Sequence, residues 1–176
     1  MSSTLHSADA GDGPLTLVLV HGWTCHRGHW QALLDNGPAG TRLLAVDLPG
    51  HGEARDALLS QWTVRAQAQA VVEALKAVEA PVLVGHSMGG AVALEAARLM
   101  PVKAVVLVDT FVIPYGDLDE DTARQIEAPF QQDFAAGIAN LVANNAGPGL
   151  SGESKKILEA DMASAPGEAM LPLWSD

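Results

Sequence analysis

The chain has 176 residues, of which 48% are apolar and 18% charged, the composition of a globular domain with its own core. The formal net charge is −11, and no cluster of Lys and Arg could neutralise phosphates, so nucleic acid is not an expected partner. A single cysteine, Cys25, excludes an internal disulfide. Residues 1–13 lack the pattern of a secretory signal, and no apolar stretch approaches the ~20 residues of a membrane span. We therefore expect a soluble, cytoplasmic protein with no membrane partner.

Strand-like and helix-like segments alternate along the first part of the chain. Residues 4–13 predict a short edge strand followed by a turn. Apolar runs typical of strands buried on both faces of a parallel sheet follow at residues 15–20, 42–47, 81–84 and 102–108. Thr63, a plausible N-cap, begins the second of three predicted helices, which cover residues 27–35, 64–79 and 88–100. This alternation predicts an α/β fold in which helices flank a mostly parallel sheet.

The pattern changes after Asp109. Pro114-Tyr115-Gly116 breaks the chain, and no further β-type run appears before the last residue. Helices are predicted instead, over residues 119–135, 137–145 and 152–164. We therefore divide the chain into a sheet-containing core over residues 1–113 and a helical segment over residues 114–176.

The chain is organised around Gly85-His86-Ser87-Met88-Gly89, which fits the pattern G-x-S-x-G between a predicted strand and a predicted helix. In such a turn the serine hydroxyl points away from the strand. Glycines on both sides remove side chains that would clash where the backbone closes on itself. The helix that begins at Met88 directs free N–H groups and a positive dipole end toward an anion beside Ser87.

Two further loops follow predicted strands. His21-Gly22-Trp23 comes after the first central strand, and Asp47-Leu48-Pro49-Gly50-His51-Gly52 comes after the second. Together with the G-x-S-x-G turn, these motifs resemble the α/β-hydrolase superfamily, most closely its esterase-like members with an HG oxyanion loop. The resemblance covers residues 5 to about 113. It implies an α/β-hydrolase core that is incomplete at one edge, with residues 114–176 as a helical cap-like segment.

The resemblance assigns roles to the matching positions. Ser87 would be the nucleophile, and the backbone N–H groups of Trp23 and Met88 would form the oxyanion hole. A serine at this turn argues against the dehalogenase and epoxide-hydrolase relatives, which carry aspartate there. The implied reaction is hydrolysis of a carboxylic ester through an acyl-serine intermediate, with a small, fairly apolar ester as substrate. No cofactor and no metal site are expected.

The remaining histidines near these motifs have structural interpretations. His86 precedes the nucleophile, but on such a turn its ring should point away from the site. His21 is expected to brace the oxyanion loop, and His51 to lie in a loop that packs behind the site. His26 and His29 begin the helix after the oxyanion loop and are expected at the surface.

The general base is the missing part of the pattern. The triad of this superfamily follows the chain order Ser, acid, His, and no histidine follows Ser87. Asp109 is the candidate acid, although a loop-capping or pocket-wall role is favoured because an acid without its histidine has nothing to orient. Three explanations stay open: an N-terminal part of a longer hydrolase, a histidine supplied by another chain, or a non-catalytic remnant that keeps the pocket. A fourth is a rearranged site that recruits His26, His29 or His51.

Without further strands, residues 102–108 would have one unpaired apolar edge, which favours association. We therefore expect a second copy of the chain, or a partner chain, to cover this edge. Taken together, the sequence predicts a serine hydrolase of the α/β-hydrolase type, with weak or absent turnover by this chain alone. The alternative is a non-catalytic binding or interaction module, or a truncated fragment, that retains the pocket and dimerises through the open edge.

Overall fold

The computed structural model describes residues 5–110 and 119–176, and the predicted break at Pro114-Tyr115-Gly116 lies outside them. The strands are β1 (Ser7–Ala10), β2 (Leu15–Val20), β3 (Thr41–Val46), β4 (Val82–His86) and β5 (Ala104–Val108). The helices are α1 (Gln31–Asp35), α2 (Val64–Ala74), α3 (Met88–Leu99), α4 (Glu120–Gln132), α5 (Phe134–Asn145), α6 (Gly152–Ala163) and α7 (Gly167–Trp174). Short 3₁₀ turns cover Arg27–Trp30 and Gly52–Ala54.

The five strands form one sheet in the order β1-β3-β2-β4-β5. β1 is antiparallel to β3, whereas the other neighbours are parallel, so the expectation of a mostly parallel sheet is confirmed. The register places Gly85 beside Val20 on one side and beside Leu107 on the other. The carboxyl ends of β2, β4 and β5 therefore meet at one edge of the sheet, which is where the sequence motifs lie.

Helices cover both faces of the sheet. On one face, α2 and α3 pack against the strands through small and β-branched side chains, including Ala68, Val71, Val92, Ala93 and Ala96. On the other face, Trp30, Leu33 and Leu34 pack against buried residues of β2, β3 and β4, as their spacing predicted. This two-sided coverage explains why the central strands read as continuous apolar runs rather than as alternating ones.

The predicted start of α2 is confirmed, whereas its predicted end is wrong. The Thr63 hydroxyl accepts a hydrogen bond from the Ala66 N–H at 3.1 Å, which confirms the N-cap of α2. The helix ends at Ala74 rather than near residue 79. After the helix, the Val78 N–H donates to the Leu75 carbonyl oxygen and forms a turn. The apolar spacing that predicted a longer helix therefore extends into this turn.

The second part of the chain is helical, with bounds that differ slightly from the predicted ones. The break between α4 and α5 falls at Asp133, whose side chain caps α5 by accepting from the Ala136 N–H at 3.0 Å. The helix α7 was not predicted, because Pro172 lies inside it and its length is only 8 residues. No helix in residues 5–110 or 119–176 has the length and apolar character needed to cross a membrane.

The strand β5 departs from the prediction of burial on both faces. Its side chains at Val106, Leu107 and Val108 are 45%, 37% and 39% exposed, although the sequence is as apolar as that of the central strands. Among the described residues its one strand partner is β4. The prediction of burial is therefore wrong for this strand, whereas the expected open apolar edge is present in the described part of the chain.

Candidate active site

Ser87 lies on the tight turn between β4 and α3. Its backbone has φ 52° and ψ −125°, a region that a residue with a side chain rarely adopts. The Ser87 N–H donates to the Val108 carbonyl oxygen at 3.0 Å, and its own carbonyl oxygen accepts from the Gly90 N–H at 2.9 Å. These bonds fix a strained backbone from both sides, which is the geometry expected of a serine presented for reaction.

The glycines around Ser87 are required by space rather than by backbone conformation. A Cβ on Gly85 would overlap the carbonyl oxygen of Gly89. A Cβ on Gly89 would overlap the carbonyl oxygens of Val20 and His21. The first turn of α3 thus lies directly against the end of β2. The glycines of the G-x-S-x-G pattern are needed because the backbones are in contact there.

Thr110 supports the same turn from the β5 side, and sequence reasoning missed it. Its hydroxyl lies 3.2 Å from the Ser87 carbonyl oxygen, 3.4 Å from that of Gly85 and 3.3 Å from that of Val108. One hydroxyl proton is shared among these three acceptors. The space that Thr110 fills is the space a Cβ on Gly90 would need. The Gly89-Gly90 pair was the only signal that could have indicated such a close neighbour.

The loop after β2 approaches Ser87 closely. A Cβ on Gly22 would lie 3.2 Å from the Cβ of Ser87, a contact tighter than an ordinary van der Waals contact. Within residues 5–110 and 119–176, the backbone N–H groups of Trp23 and Met88 have no hydrogen-bond acceptor. The next residue, Thr24, has φ 58°, and its hydroxyl donates to the Trp23 carbonyl oxygen at 2.7 Å. The Trp23 carbonyl oxygen thus accepts a hydrogen bond, whereas the Trp23 N–H is left without an acceptor in the described residues.

His21 joins this loop to the one after β3. The Leu48 N–H donates to Nε2 of His21 at 3.0 Å, and Nδ1 of His21 lies 2.8 Å from the Gly22 carbonyl oxygen. Since Nε2 accepts, Nδ1 carries the proton and donates. Burial holds the pKa of His21 well below its ordinary value, and His51, whose ring centroid is 4.9 Å away, lowers it further. His21 is therefore a neutral bracket for the loop, in agreement with the expected bracing role.

His51 is buried behind this bracket, as its loop was expected to be. Its Nδ1 donates to the Pro49 carbonyl oxygen at 3.0 Å. Burial lowers the pKa of His51 to about 4, although the hydrogen bond to Pro49 and the charge of Asp47 oppose the shift. Both buried histidines are therefore uncharged at neutral pH, which the low dielectric of their surroundings requires.

Asp47 anchors the same region with a buried charge. Its carboxylate accepts from the Arg27 N–H at 2.7 Å, from the Glu53 N–H at 3.0 Å and from the guanidinium of Arg27. The Arg27 guanidinium also pairs with the Glu53 carboxylate at 2.6 Å. A buried carboxylate with this many donors is fully compensated, so it fixes the loops in place instead of destabilising them.

The side chain of Trp23 binds the helical segment to the core. Its ring packs against Phe130, Phe134 and Trp174, with centroid distances of 5.2, 5.9 and 4.7 Å. Its indole N–H donates to the Met170 carbonyl oxygen in α7 at 2.8 Å. The residue proposed for the oxyanion hole through its backbone is therefore also the centre of an apolar cluster formed with α4, α5 and α7. The spacing of apolar residues in the helical segment did not indicate this second role.

The candidate acid and the histidine before the nucleophile lie close together. Asp109 follows β5, is exposed and has φ 48°. Burial lowers the pKa of the half-buried His86, and the charge of Asp109 partly opposes that shift. Nδ1 of His86 lies beside Gly22. In the described residues no histidine ring hydrogen-bonds to Ser87, and the rings of His26, His29 and His51 make their hydrogen bonds elsewhere.

The two histidines expected at the surface are partly exposed, and they also contact the helical segment. Nε2 of His26 and Nε2 of His29 lie 2.7 and 2.8 Å from the same carboxylate oxygen of Asp161. Both rings are thereby turned toward α6. This arrangement was not predicted, because Asp161 is more than 130 residues away along the chain.

The strand-to-helix serine turn and the adjoining loops define the class of protein. The chain belongs to the alpha/beta hydrolase family, whose model matches residues 17–175. Among solved structures, a hydrolase from Oleispira antarctica superposes with a TM-score of 0.84 over 98% of this chain and 68% of its own, at 17% identity, which supports the fold alone. The predicted membership of the α/β-hydrolase superfamily is confirmed.

Two curated relatives carry the name of an esterase. The chain is 42% identical over 93 residues, 52% of its length, to the pimeloyl-[acyl-carrier protein] methyl ester esterase of Methylococcus capsulatus. It is 34% identical over 134 residues, 74% of its length, to the enzyme of the same name from Xanthomonas campestris pv. campestris. The matches span 34% and 51% of those two proteins. The chain is thus similar to proteins named as esterases, and it spans about half the length of these two relatives or less.

Proposed function

We propose that this chain carries the nucleophile and the oxyanion hole of a serine esterase. The observation that carries the proposal is the strained backbone of Ser87, held between Val108 and Gly90, with Gly22 packed closely beside it. The unengaged N–H groups of Trp23 and Met88 support it, since two such donors stabilise a developing oxyanion by a few kcal/mol.

In this mechanism the Ser87 hydroxyl oxygen attacks the ester carbonyl carbon while its proton passes to a general base. The negative charge that develops on the carbonyl oxygen is held by the Trp23 and Met88 N–H groups. The bond to the alkoxide then breaks, the alkoxide takes the proton, and an acyl-serine remains. Water attacks the acyl-serine by the same route, which releases the acid and restores Ser87.

The general base has to come from outside the residues assigned so far, because no histidine follows Ser87 in the chain. We infer that polypeptide pairing with β5 delivers it, with Asp109 as the candidate acid beside it. The exposed apolar side chains of Val106, Leu107 and Val108 support this inference, since they form an edge suited to strand pairing. We therefore expect weak turnover from the chain alone, carried by the oxyanion hole and by binding.

The substrate class that the relatives suggest is the methyl ester of an acyl chain, since their printed name is that of a methyl ester esterase. The helical segment around Trp23 supports an apolar acyl group, because its buried cluster includes Phe130, Ile138 and Met170. In this proposal residues 114–176 act as the cap over the site. A cytoplasmic location belongs to the same proposal, and fractionation of cells that express the gene tests it.

A fluorophosphonate probe tests the nucleophile directly, because it reacts with an activated serine and needs no knowledge of the substrate. Because the general base is not among the assigned residues, we expect the purified chain to be labelled slowly, and the label to be lost in Ser87→Ala. Ser60→Ala is the control, since Ser60 is exposed in a loop before α2, whereas Ser87 is half-buried. Absence of label on a chain with a native circular dichroism spectrum would contradict the proposal.

The exposed edge of β5 favours a second candidate function, a binding module that dimerises through this strand. The two candidates differ in what they require of Ser87. Light scattering of the Ser87→Ala variant decides whether association is independent of the nucleophile. A monomer at high protein concentration would exclude dimerisation through β5.

A further inference from the structure

The side chains of His26, His29 and Asp161 form a cluster that the proposed esterase mechanism does not use. The two histidines lie three residues apart at the turn after the oxyanion loop, and Asp161 comes from α6. One ligand atom from each residue lies within 4.8 Å of the others. The two imidazole rings are inclined to each other, with centroids 4.5 Å apart. Both rings present Nε2 to one carboxylate.

The cluster is accessible without being a fully solvated surface patch. The side chains of His26, His29 and Asp161 are 30%, 26% and 34% exposed. His26 and Asp161 line a cleft of about 450 Å³, together with the buried Cys25. An ion could therefore enter with its own water, while the surroundings limit the movement of its ligands.

We propose that His26, His29 and Asp161 bind a divalent transition-metal ion of the Zn²⁺ class, a site that the sequence did not predict. Two imidazole nitrogens and one carboxylate oxygen are ligands that Zn²⁺ accepts, and a water would complete a four-coordinate shell. Hard ions such as Mg²⁺ favour oxygen ligands and are not expected here. The site does not depend on the esterase chemistry proposed for Ser87.

The present distances are those of hydrogen bonds, so binding requires a small adjustment. Tetrahedral ligands with bonds of about 2.0–2.1 Å lie about 3.3 Å from one another. The carboxylate oxygen now lies 2.7 and 2.8 Å from the two nitrogens. Rotation of the exposed side chains can provide the extra separation.

The proton balance of the site can be followed at each ring. An Nε2 that binds a metal carries no proton, so the proton of each neutral ring moves to Nδ1. In His26, Nδ1 now accepts from the Gly28 N–H at 3.0 Å, and that bond would be exchanged for one to water. Gly28 is exposed, so its N–H can be solvated.

The ion would fasten the helical segment to the core. His26 and His29 follow the loop that presents the Trp23 N–H, whereas Asp161 belongs to α6. A ligand that binds only the folded chain adds stability by mass action. We therefore expect Zn²⁺ to raise the stability of the whole chain even where Ser87 is replaced.

Metal-free protein, prepared with a chelator, tests the site by thermal unfolding and by calorimetric titration with ZnCl₂. At a hundredfold excess over Kd we expect Tm to rise by about 5–10 °C. MgCl₂ serves as the hard-ion comparison and should leave Tm unchanged. No binding of Zn²⁺, or an equal shift with Mg²⁺, would overturn the proposal.

The variants His29→Gln and Asp161→Asn remove one ligand each and should weaken Zn²⁺ binding at least tenfold. His6→Gln is the matched control, because His6 lies outside the cluster beside Glu53. Equal Zn²⁺ affinity in all three variants would show that the ion binds elsewhere. Should a ligand variant fail to fold, the absorption spectrum of wild-type protein with Co²⁺ decides. Intense visible bands of a tetrahedral site support the proposal, and the weak bands of an octahedral ion overturn it.

Discussion

The two flanks of the strand that leads to Ser87 differ sharply. On the β2 flank, Val20 and His21 are fully buried, and the polar groups of His21 all have partners. On the β5 flank, Val106 and Val108 are apolar and exposed. Both flanks pair with β4 through the backbone, so hydrogen bonding alone does not distinguish them.

The difference separates two halves of the proposed chemistry. The β2 flank holds the oxyanion loop, whose bracket of His21 and Leu48 is complete within the described chain. The β5 flank ends at Asp109 and Thr110, where the acid and base of a serine hydrolase would be needed. In the proposed mechanism the β2 flank would thus carry the groups that stabilise charge, and the proton acceptor would lie on the β5 flank.

The largest expected effect comes from placing a side chain between α3 and the end of β2. In Gly89→Ala the new methyl group would overlap the backbone carbonyl oxygens of Val20 and His21, which cannot move without disturbing β2. We expect a loss of about 3 kcal/mol or more in the free energy of unfolding, measured by urea denaturation. The improved helix propensity of alanine recovers about 1 kcal/mol at most.

Gly147→Ala is the control for this substitution, because a Cβ on Gly147 has open space around it. We expect it to be neutral or slightly stabilising, by about 0.5 kcal/mol. Equal effects of the two substitutions would show that the close contact between α3 and β2 is absent in solution.

The second-largest effect is expected from lowering the pH, which should reduce the free energy of unfolding through the buried histidines of the β2 flank. His51 has a pKa of about 4 in the folded chain and an ordinary value near 6.5 when unfolded, so the unfolded chain binds more protons between these values. Stability is therefore fully present above pH 6.5 and falls as the pH is lowered toward 4. His21 shifts in the same direction. Between pH 7 and 5.5 we expect a loss of about 1 kcal/mol for each histidine, measured by urea denaturation.

The variant His51→Gln should flatten this dependence, since one of the histidines whose pKa is lowered in the folded chain is removed. His6→Gln, which alters an exposed histidine, should leave the slope unchanged. A free energy of unfolding that does not vary from pH 7 to 5.5 in the wild type would contradict the buried, neutral state of both rings.

A smaller effect is expected where Thr110 supports the turn from the β5 side. Thr110→Val preserves the shape that fills the space beside Gly90 and removes the hydroxyl shared by three carbonyl oxygens. We expect a loss of about 1 kcal/mol in stability and slower labelling of Ser87 by a fluorophosphonate probe. Thr110→Ser retains the hydroxyl, so it should label at close to the wild-type rate. Slow labelling in both variants would assign the effect to packing instead.

The sequence was sufficient for the features that depend on local chemistry. The G-x-S-x-G turn, the parallel strands and the Thr63 cap are each specified by a few adjacent residues, and the structure shows all three. The position of Ser87 at the end of a central strand followed from the same short pattern. These features need no knowledge of which distant segments meet.

The missed features all depend on contacts between distant residues. Thr110, the ring of Trp23 and the His26–Asp161 pair act through partners that are 23, 147 and 135 residues away. The exposure of β5 was anticipated only through the absence of a following strand, since Ala104–Val108 has the same apolar composition as a buried strand. Composition indicates that a strand prefers burial, but it does not indicate whether a neighbour covers it.

The smallest effect on folding is expected at the open edge itself, where a charge should change association instead. Val106 is already 45% exposed, so Val106→Lys should alter the free energy of unfolding by no more than about 0.5 kcal/mol. A lysine on an exposed strand opposes edge-to-edge pairing, so light scattering should show less association than in the wild type. Leu58→Lys makes the same change in charge at a loop residue that is 87% exposed, and it should leave association unchanged. A large loss of stability in Val106→Lys would mean that this edge is covered within the folded chain, and the contrast between the two flanks of β4 would then fail.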